Sequence, residues 1–132
     1  MHWIDKLAWI RIENKKILST RSKGKDTYYF PGGKREAGET DEKALIREIK
    51  EELTVDLIPE SLRFFGKFEA QAHGHQAGTK VIMTCYMADY EGVLTPNAEI
   101  EEIAWLNYQD KERSSAVDQI IFDYLKQSDL VI

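Results

Sequence analysis

The sequence predicts an α/β (α+β) fold in which a mixed β-sheet is covered by helices on both faces. Three observations carry this expectation. Short runs rich in β-branched and aromatic residues recur along the chain. A segment of helical period interrupts them in the middle, and a second helical segment follows the last of them. Strands with one helix in the middle and one at the end point to a sheet flanked on both sides.

The elements follow in order. Leu7 to Ile12 and Lys16 to Thr20 read as strands, with Glu13-Asn14-Lys15 as the turn between them. Thr27-Tyr28-Tyr29-Phe30 is a third strand, ended by Pro31-Gly32-Gly33. Thr40 is a good helix N-cap, and Asp41 and Glu42 complement the dipole of the first turn. Leu45, Ile46, Ile49 and Leu53 then share one arc of that helix. Ser61 to Phe68 and Lys80 to Asp89 are longer strands, separated by a polar loop holding His73 and His75. Two histidines with no further ligand at suitable spacing favour a surface loop over a zinc site. Ile103 to Leu106 is a late strand, and Ser115 to Gln127 a closing helix with Val117, Ile120, Ile121, Tyr124 and Leu125 as its stripe.

The 132 residues fit a single domain, 1–132, with a core that needs no disulfide. Apolar residues make up 42% and charged residues 31%, which is ordinary for a globular chain. A net charge of −5 argues against a broad grip on nucleic acid or anionic lipid. Cys85, the only cysteine, lies in an apolar run and reads as a buried, inert thiol. No apolar stretch reaches the ~20 residues needed to span a bilayer, and the N-terminus lacks the pattern of a secretory signal. The expectations are therefore a cytoplasmic address, no membrane partner and no nucleic-acid partner; a homodimer stays open. Trp3, Trp9 and Trp105 read as core or rim packing.

The middle helix carries an unusual charge pattern. Glu48, Glu51 and Glu52 share an arc beside the apolar one, so that Glu48–Glu51 and Glu48–Glu52 are like-charge neighbours. A solvated acidic face is one reading. The other is a hard-oxygen site for Mg²⁺, which prefers oxygen ligands and keeps waters and substrate phosphates. The preceding residues favour the second. Pro31-Gly32-Gly33-Lys34 places a glycine-rich turn before the helix, and Gly38-Glu39 leads into its cap.

The stretch runs Gly33, five residues, Glu39, seven residues, then Arg47-Glu48-Ile49-Lys50-Glu51-Glu52-Leu53-Thr54-Val55. It resembles the Nudix box of the Nudix hydrolase superfamily at every fixed position but one. Thr54 stands where the family carries glycine, which predicts a different helix exit, without a left-handed residue. The resemblance implies a Nudix-type α/β/α sandwich and a divalent metal, Mg²⁺ or alternatively Mn²⁺. It implies Glu48 and Glu52 as principal metal ligands, with Glu51 as a further ligand or the group that activates water. Arg47 is expected to hold an acidic partner, matched by Glu39. Gly33 and Lys34 belong to the loop that meets metal and phosphates.

Beyond the box, Thr20-Arg21 followed by Phe30-Pro31-Gly32-Gly33-Lys34 resembles the MutT-like nucleoside triphosphatases, in which an arginine at that place meets phosphates. Arg21 is therefore a candidate substrate contact. One of Tyr28 and Tyr29 is expected to face the substrate. A further metal carboxylate is expected from Glu99-Ile100-Glu101-Glu102, with Glu102 preferred, then Glu99 and Glu101. The implied activity is metal-assisted attack of water on a phosphoanhydride of a nucleoside diphosphate linked to a further group. Nucleoside triphosphates lead as substrates, while ADP-ribose and dinucleotide polyphosphates are alternatives. MutT-like enzymes recognise oxidised guanine through an asparagine near the start of the last helix. This chain has none there, although Asp118 is available. A non-hydrolytic Nudix-fold binding module is the contrasting class, but such modules usually lose box glutamates that this chain keeps.

Overall fold

The computed structural model describes residues 2–71 and 78–132, so His73 and His75 lie outside the described residues. The strands are β1 (His2–Trp9), β2 (Ile12–Glu13), β3 (Lys16–Ser22), β4 (Tyr28–Tyr29), β5 (Gly32–Gly33), β6 (Asp56–Leu57), β7 (Arg63–Gln71), β8 (Thr79–Met87), β9 (Tyr90–Glu91) and β10 (Ile100–Leu106). The helices are α1 (Asp41–Leu53) and α2 (Ala116–Gln127). One sheet runs β5-β1-β8-β7, with β1 and β8 parallel and the other pairs antiparallel. A second, antiparallel sheet runs β10-β3-β2, with β4 also on β3. The short pair β6-β9 stands apart.

Side chains alternate across a strand, and here both faces are covered. Leu7 and Trp9 of β1, with Leu18 of β3, pack under Ala44, Leu45, Ile49 and Leu53 of α1. Ala8, Ile10 and Ile17 face the other way, with Met83 and Cys85, onto Val117, Ile121, Phe122 and Leu125 of α2. Full burial of each such aliphatic side chain contributes about 1.5–3 kcal/mol. The result is the three-layer α/β/α arrangement, with the strands divided between two main sheets. Cys85 is fully buried, and burial pushes its thiol well above the ordinary value. Trp9 is also buried and donates its indole N–H to the Ala88 carbonyl at 3.1 Å. Trp105 packs partly buried against the α1-side core, whereas Trp3 is exposed.

Two boundaries differ from the sequence expectation for physical reasons. The first strand begins at His2 and not at Leu7, because its backbone pairing with β8 continues past the polar Asp5 and Lys6. The hairpin turn at Asn14 and Lys15 is tight, with both residues at positive φ (52° and 59°), as two-residue primed turns require.

The exit of α1 corrects a further expectation. Thr54 adopts the left-handed conformation at φ 66°, ψ 18°, although it is not glycine. Its surroundings hold it there. Its N–H donates to the Lys50 carbonyl at 3.1 Å, and its hydroxyl donates to the Thr95 carbonyl at 3.2 Å. The loop also takes up the last carbonyls of the helix: Thr95 N–H donates to Leu53 O, and Asn97 N–H to Glu52 O. Asn97 Nδ2 adds a bond to Glu51 O. Helix ends leave such carbonyls without intrahelical partners. Their capture ties the loop that carries Glu99 to the acidic end of α1.

Candidate active site

The acidic arc of α1 faces a glycine turn. Thr40 caps the helix by accepting from Lys43 N–H at 3.2 Å, which sets the phase of the turns that follow. Its apolar face is pinned in the core, so Glu48 and Glu52, four residues apart, emerge together beside β5. There Gly32 donates its N–H to Glu52 Oε1 at 3.3 Å. A Cβ on Gly33 would stand 2.2 Å from Glu48 Oε2, so only glycine leaves room for that carboxylate. A Cβ on Gly32 would collide with the Leu7 carbonyl, at 2.0 Å. The two glycines allow the strand, the turn and the helix carboxylates to meet.

These groups border a cavity of about 270 Å³. Glu48 and Glu52 form one side with Gly32 and Gly33; Thr20 and Ser22 of β3, Tyr29, Met83, Lys6 and Glu99 line the rest. Glu52 is only 9% exposed. Burial first, then the charges of Glu48 and Glu99, push its carboxyl up to about 8 against the opposing Gly32 N–H. Burial likewise raises Glu48, although Arg47 opposes it. A second cavity of about 80 Å³ adjoins the first, sharing Lys6, Tyr29 and Met83. Its lining is mainly apolar, with Ile4, Val81 and Val117 among its walls. Beneath this region Asp118 is fully buried, accepts from Phe30 N–H at 2.9 Å, and is pushed by burial up to about 7.

Arg47 is the hub of the acidic face. Its Nε and Nη2 donate to the two Glu39 oxygens at 2.7 and 2.9 Å, a bidentate clamp. The guanidinium holds the Glu39 carboxyl down to about 2. Nη1 reaches Glu48 at 2.8 Å and the more exposed Glu51 at 3.4 Å, and Nη2 also donates to the Lys34 carbonyl. Lys34 thus enters through its backbone, while its side chain is exposed.

Two candidates stand elsewhere. Glu102 is directed away from the cavity, accepting from Tyr28 OH at 2.7 Å and from Arg21 Nε at 3.1 Å. Arg21 is held on the same side, since Thr20 and Ser22 take the cavity face of β3 and alternation turns Arg21 from it. Its Nη1 donates to Glu101 at 3.4 Å and to the Lys25 carbonyl at 2.9 Å. Of the three loop acids, Glu99 is the one that lines the cavity. Of the two tyrosines, Tyr29 lines it and Tyr28 belongs to the Arg21–Glu102 network. Lys6 did not stand out in the sequence. Its signal was a charge on the β1 face that otherwise carries Ile4, Ala8 and Ile10.

Among the described residues no three metal-binding side chains already stand together as a closed cage, because Arg47 draws Glu48 and Glu51 towards itself. The donor set nevertheless fits a hard divalent cation. Glu52 is a buried acid, Glu48 stands in a space that only glycine leaves free, and like-charged Glu99 faces both. A cation offsets this repulsion.

The architecture and one sequence stretch have counterparts in known proteins. The fold is similar to the MutT protein from Methanosarcina mazei Go1 (TM-score 0.75, 18% identity, covering 97% of this chain and 96% of that one). It is also similar to the E. coli ORF135 protein (TM-score 0.73, 22% identity, covering 97% and 94%). A 65-residue stretch is 43% identical to the 8-oxo-dGTP diphosphatase of Escherichia coli (strain K12), covering 46% of this chain and 48% of that protein. The chain therefore spans about half the length of that curated relative. The NUDIX domain family model matches residues 5–123, and the chain belongs to that family.

Proposed function

We propose that the chain is a divalent-metal-dependent pyrophosphohydrolase acting on nucleoside diphosphate-X compounds, with nucleoside triphosphates as the leading substrates. The observation that carries this reading is the pairing of Glu48 and Glu52 across the Gly32–Gly33 turn, with Glu99 on the opposite wall of one polar cavity. A smaller, mainly apolar cavity of about 80 Å³ adjoins it. The curated relative is itself a diphosphatase.

Glu48, Glu52 and Glu99 would hold Mg²⁺ or Mn²⁺, which when bound supplies the positive charge that offsets the charge developing on the phosphates. Arg47 and Glu39 act as positioning residues: their bidentate clamp fixes the turn before α1 and holds Glu48 beside Gly33. Glu51, the most exposed of the three helix acids, is available as the base. In that role its carboxylate takes a proton from the attacking water, whose oxygen bonds to phosphorus. The phosphoanhydride P–O bond breaks, and pyrophosphate leaves with the bridging oxygen. Gly33 and the Lys34 backbone shape the loop that meets the phosphates.

The test is a panel of nucleoside triphosphates, ADP-ribose and dinucleotide polyphosphates, with Mg²⁺ titrated and phosphate products resolved. Hydrolysis dependent on Mg²⁺ and strongest for triphosphates is the expected result. Glu52→Gln should lower kcat by about 10²–10³-fold or more, comparable to removing a single preorganised electrostatic group. A near-wild-type rate in that variant sinks the assignment.

A further inference from the structure

The cleft contains a cation as well as acids. Lys6 lines both the polar and the apolar cavity and is the sole cation among the described residues lining either. It is half-buried on β1, and its ammonium stands 5.5 Å above the Tyr29 ring. No carboxylate or carbonyl among the described residues forms a hydrogen bond or ion pair with it. Its charge acts across space on Glu52 and on the buried Asp118. An ammonium that lines a cavity is available to pair with an anion there. The acids at hand do not make that pair.

We propose that Lys6, and not Arg21, is the cation that grips the phosphate chain of the substrate. The proposal rests on the nucleotide-hydrolase reading of this cleft. Arg21 is unsuited on two counts. It points to the opposite face of β3, and its Nε and Nη1 already donate to Glu102, Glu101 and the Lys25 carbonyl. A phosphate in the cavity would have to compete with two carboxylates for that guanidinium. Lys6 has no such competitor. Because Lys6 stands where the two cavities meet, the phosphate it holds is the one next to the nucleoside. It thereby sets which phosphorus faces Glu48 and Glu52, and favours nucleoside-linked polyphosphates.

The experiment compares wild type with Lys6→Met, Lys6→Gln, Lys6→Arg and Arg21→Met, each checked for folding by its thermal midpoint. Steady-state kinetics are run with a nucleoside triphosphate and saturating Mg²⁺. Removing the charge should raise KM by about 10- to 100-fold, the scale of one lost charge-assisted hydrogen bond. The change in kcat should be smaller, since the contact is made to ground state and transition state alike. Lys6→Arg should recover most of the loss. An unchanged KM in both charge-removing variants, or a large KM rise confined to Arg21→Met, overturns the proposal. If the wild type hydrolyses nothing in the panel, the hydrolase reading fails separately. Lys6 is then read from calorimetric binding of Mg²⁺-pyrophosphate. Affinity about tenfold weaker in Lys6→Met supports it, whereas equal affinity, or no binding by the wild type, overturns it.

Discussion

Replacing Gly33 with alanine isolates the contact on which the acidic site is built. The added methyl would stand 2.2 Å from Glu48 Oε2 and 2.5 Å from its Cδ, whereas ordinary contact begins near 3.4 Å. The carboxylate must therefore retreat by at least about 1.2 Å. It can do so only by rotating away from β5, because Arg47 Nη1 holds its other oxygen at 2.8 Å. A displacement of about 1 Å at a reacting centre costs on the order of 10²-fold in rate. The backbone cost should be small, since Gly33, unlike Gly32, is not at positive φ. Gly33→Ala is expected to lower kcat about 100-fold and to raise the Mg²⁺ needed for half-maximal rate. Its thermal midpoint should move by no more than about 5 °C, roughly 1 kcal/mol for a domain of this size. The assay is pyrophosphate release against Mg²⁺ concentration, with calorimetric unfolding alongside. Wild-type kcat and Mg²⁺ dependence in a folded Gly33→Ala protein would refute the reasoning, since Glu48 would then be displaced without consequence.

Two further expectations follow from the same geometry. Glu99→Gln should raise the half-saturating Mg²⁺ concentration about tenfold or more, as lost metal-site groups typically do. Glu102→Gln should leave that value unchanged and lower the thermal midpoint, because Glu102 ties Arg21 and Tyr28 together across β3, β4 and β10; the reverse pattern would return the metal role to Glu102. Asp118 gives a pH-dependent test. Burial raises its carboxyl from the ordinary aspartate range to about 7, so the folded chain binds the proton more tightly than the unfolded chain. Its contribution to stability is therefore complete below about pH 4 and is lost as pH rises through about 7. Asp118→Asn keeps an oxygen for the Phe30 N–H and should be the more stable protein at pH 8, by about 4 kcal/mol at most. Unfolding midpoints from pH 4 to 8 that stay parallel for the two proteins would show that Asp118 is not the group responsible.

The parts of the molecule legible in the sequence are those set by local rules. Helical phase alone groups Glu48, Glu51 and Glu52, and Thr40 with Asp41 marks where that phase begins. The alternation of Leu7 and Trp9 against Ala8 and Ile10 likewise announces a strand buried on both faces. Thr54 shows where local rules stop. Its left-handed geometry is sustained by Thr95 and Asn97, some forty residues further along, and propensity at the helix end carries no trace of them.

The choice among Glu99, Glu101 and Glu102 is non-local in the same sense, and it decides the shape of the site. β10 pairs with β3 through Glu102 opposite Arg21 and Ile100 opposite Ser22, with the register shifting between them. Such an irregularity re-aims side chains that strict alternation would place otherwise. Ser22 and Ile100 turn to the cavity, bringing Glu99 with them, while Arg21 and Glu102 turn away as a neutralised pair. The expected arginine and the preferred glutamate thus leave the cleft together, as a pair on the far face of β3. What remains in the cleft is three carboxylates, of which only Glu48 has a guanidinium partner, and one lysine with no ion pair among the described residues. On the proposed reading, a divalent ion and a phosphate chain entering together would satisfy both sets at once. Neither alone does so, because the ion leaves Lys6 unpaired and the phosphates leave Glu48 and Glu52 repelling each other and the substrate. Substrate and metal affinity should accordingly be mutually reinforcing in this protein, with Lys6 and Glu52 as the two ends of the coupling.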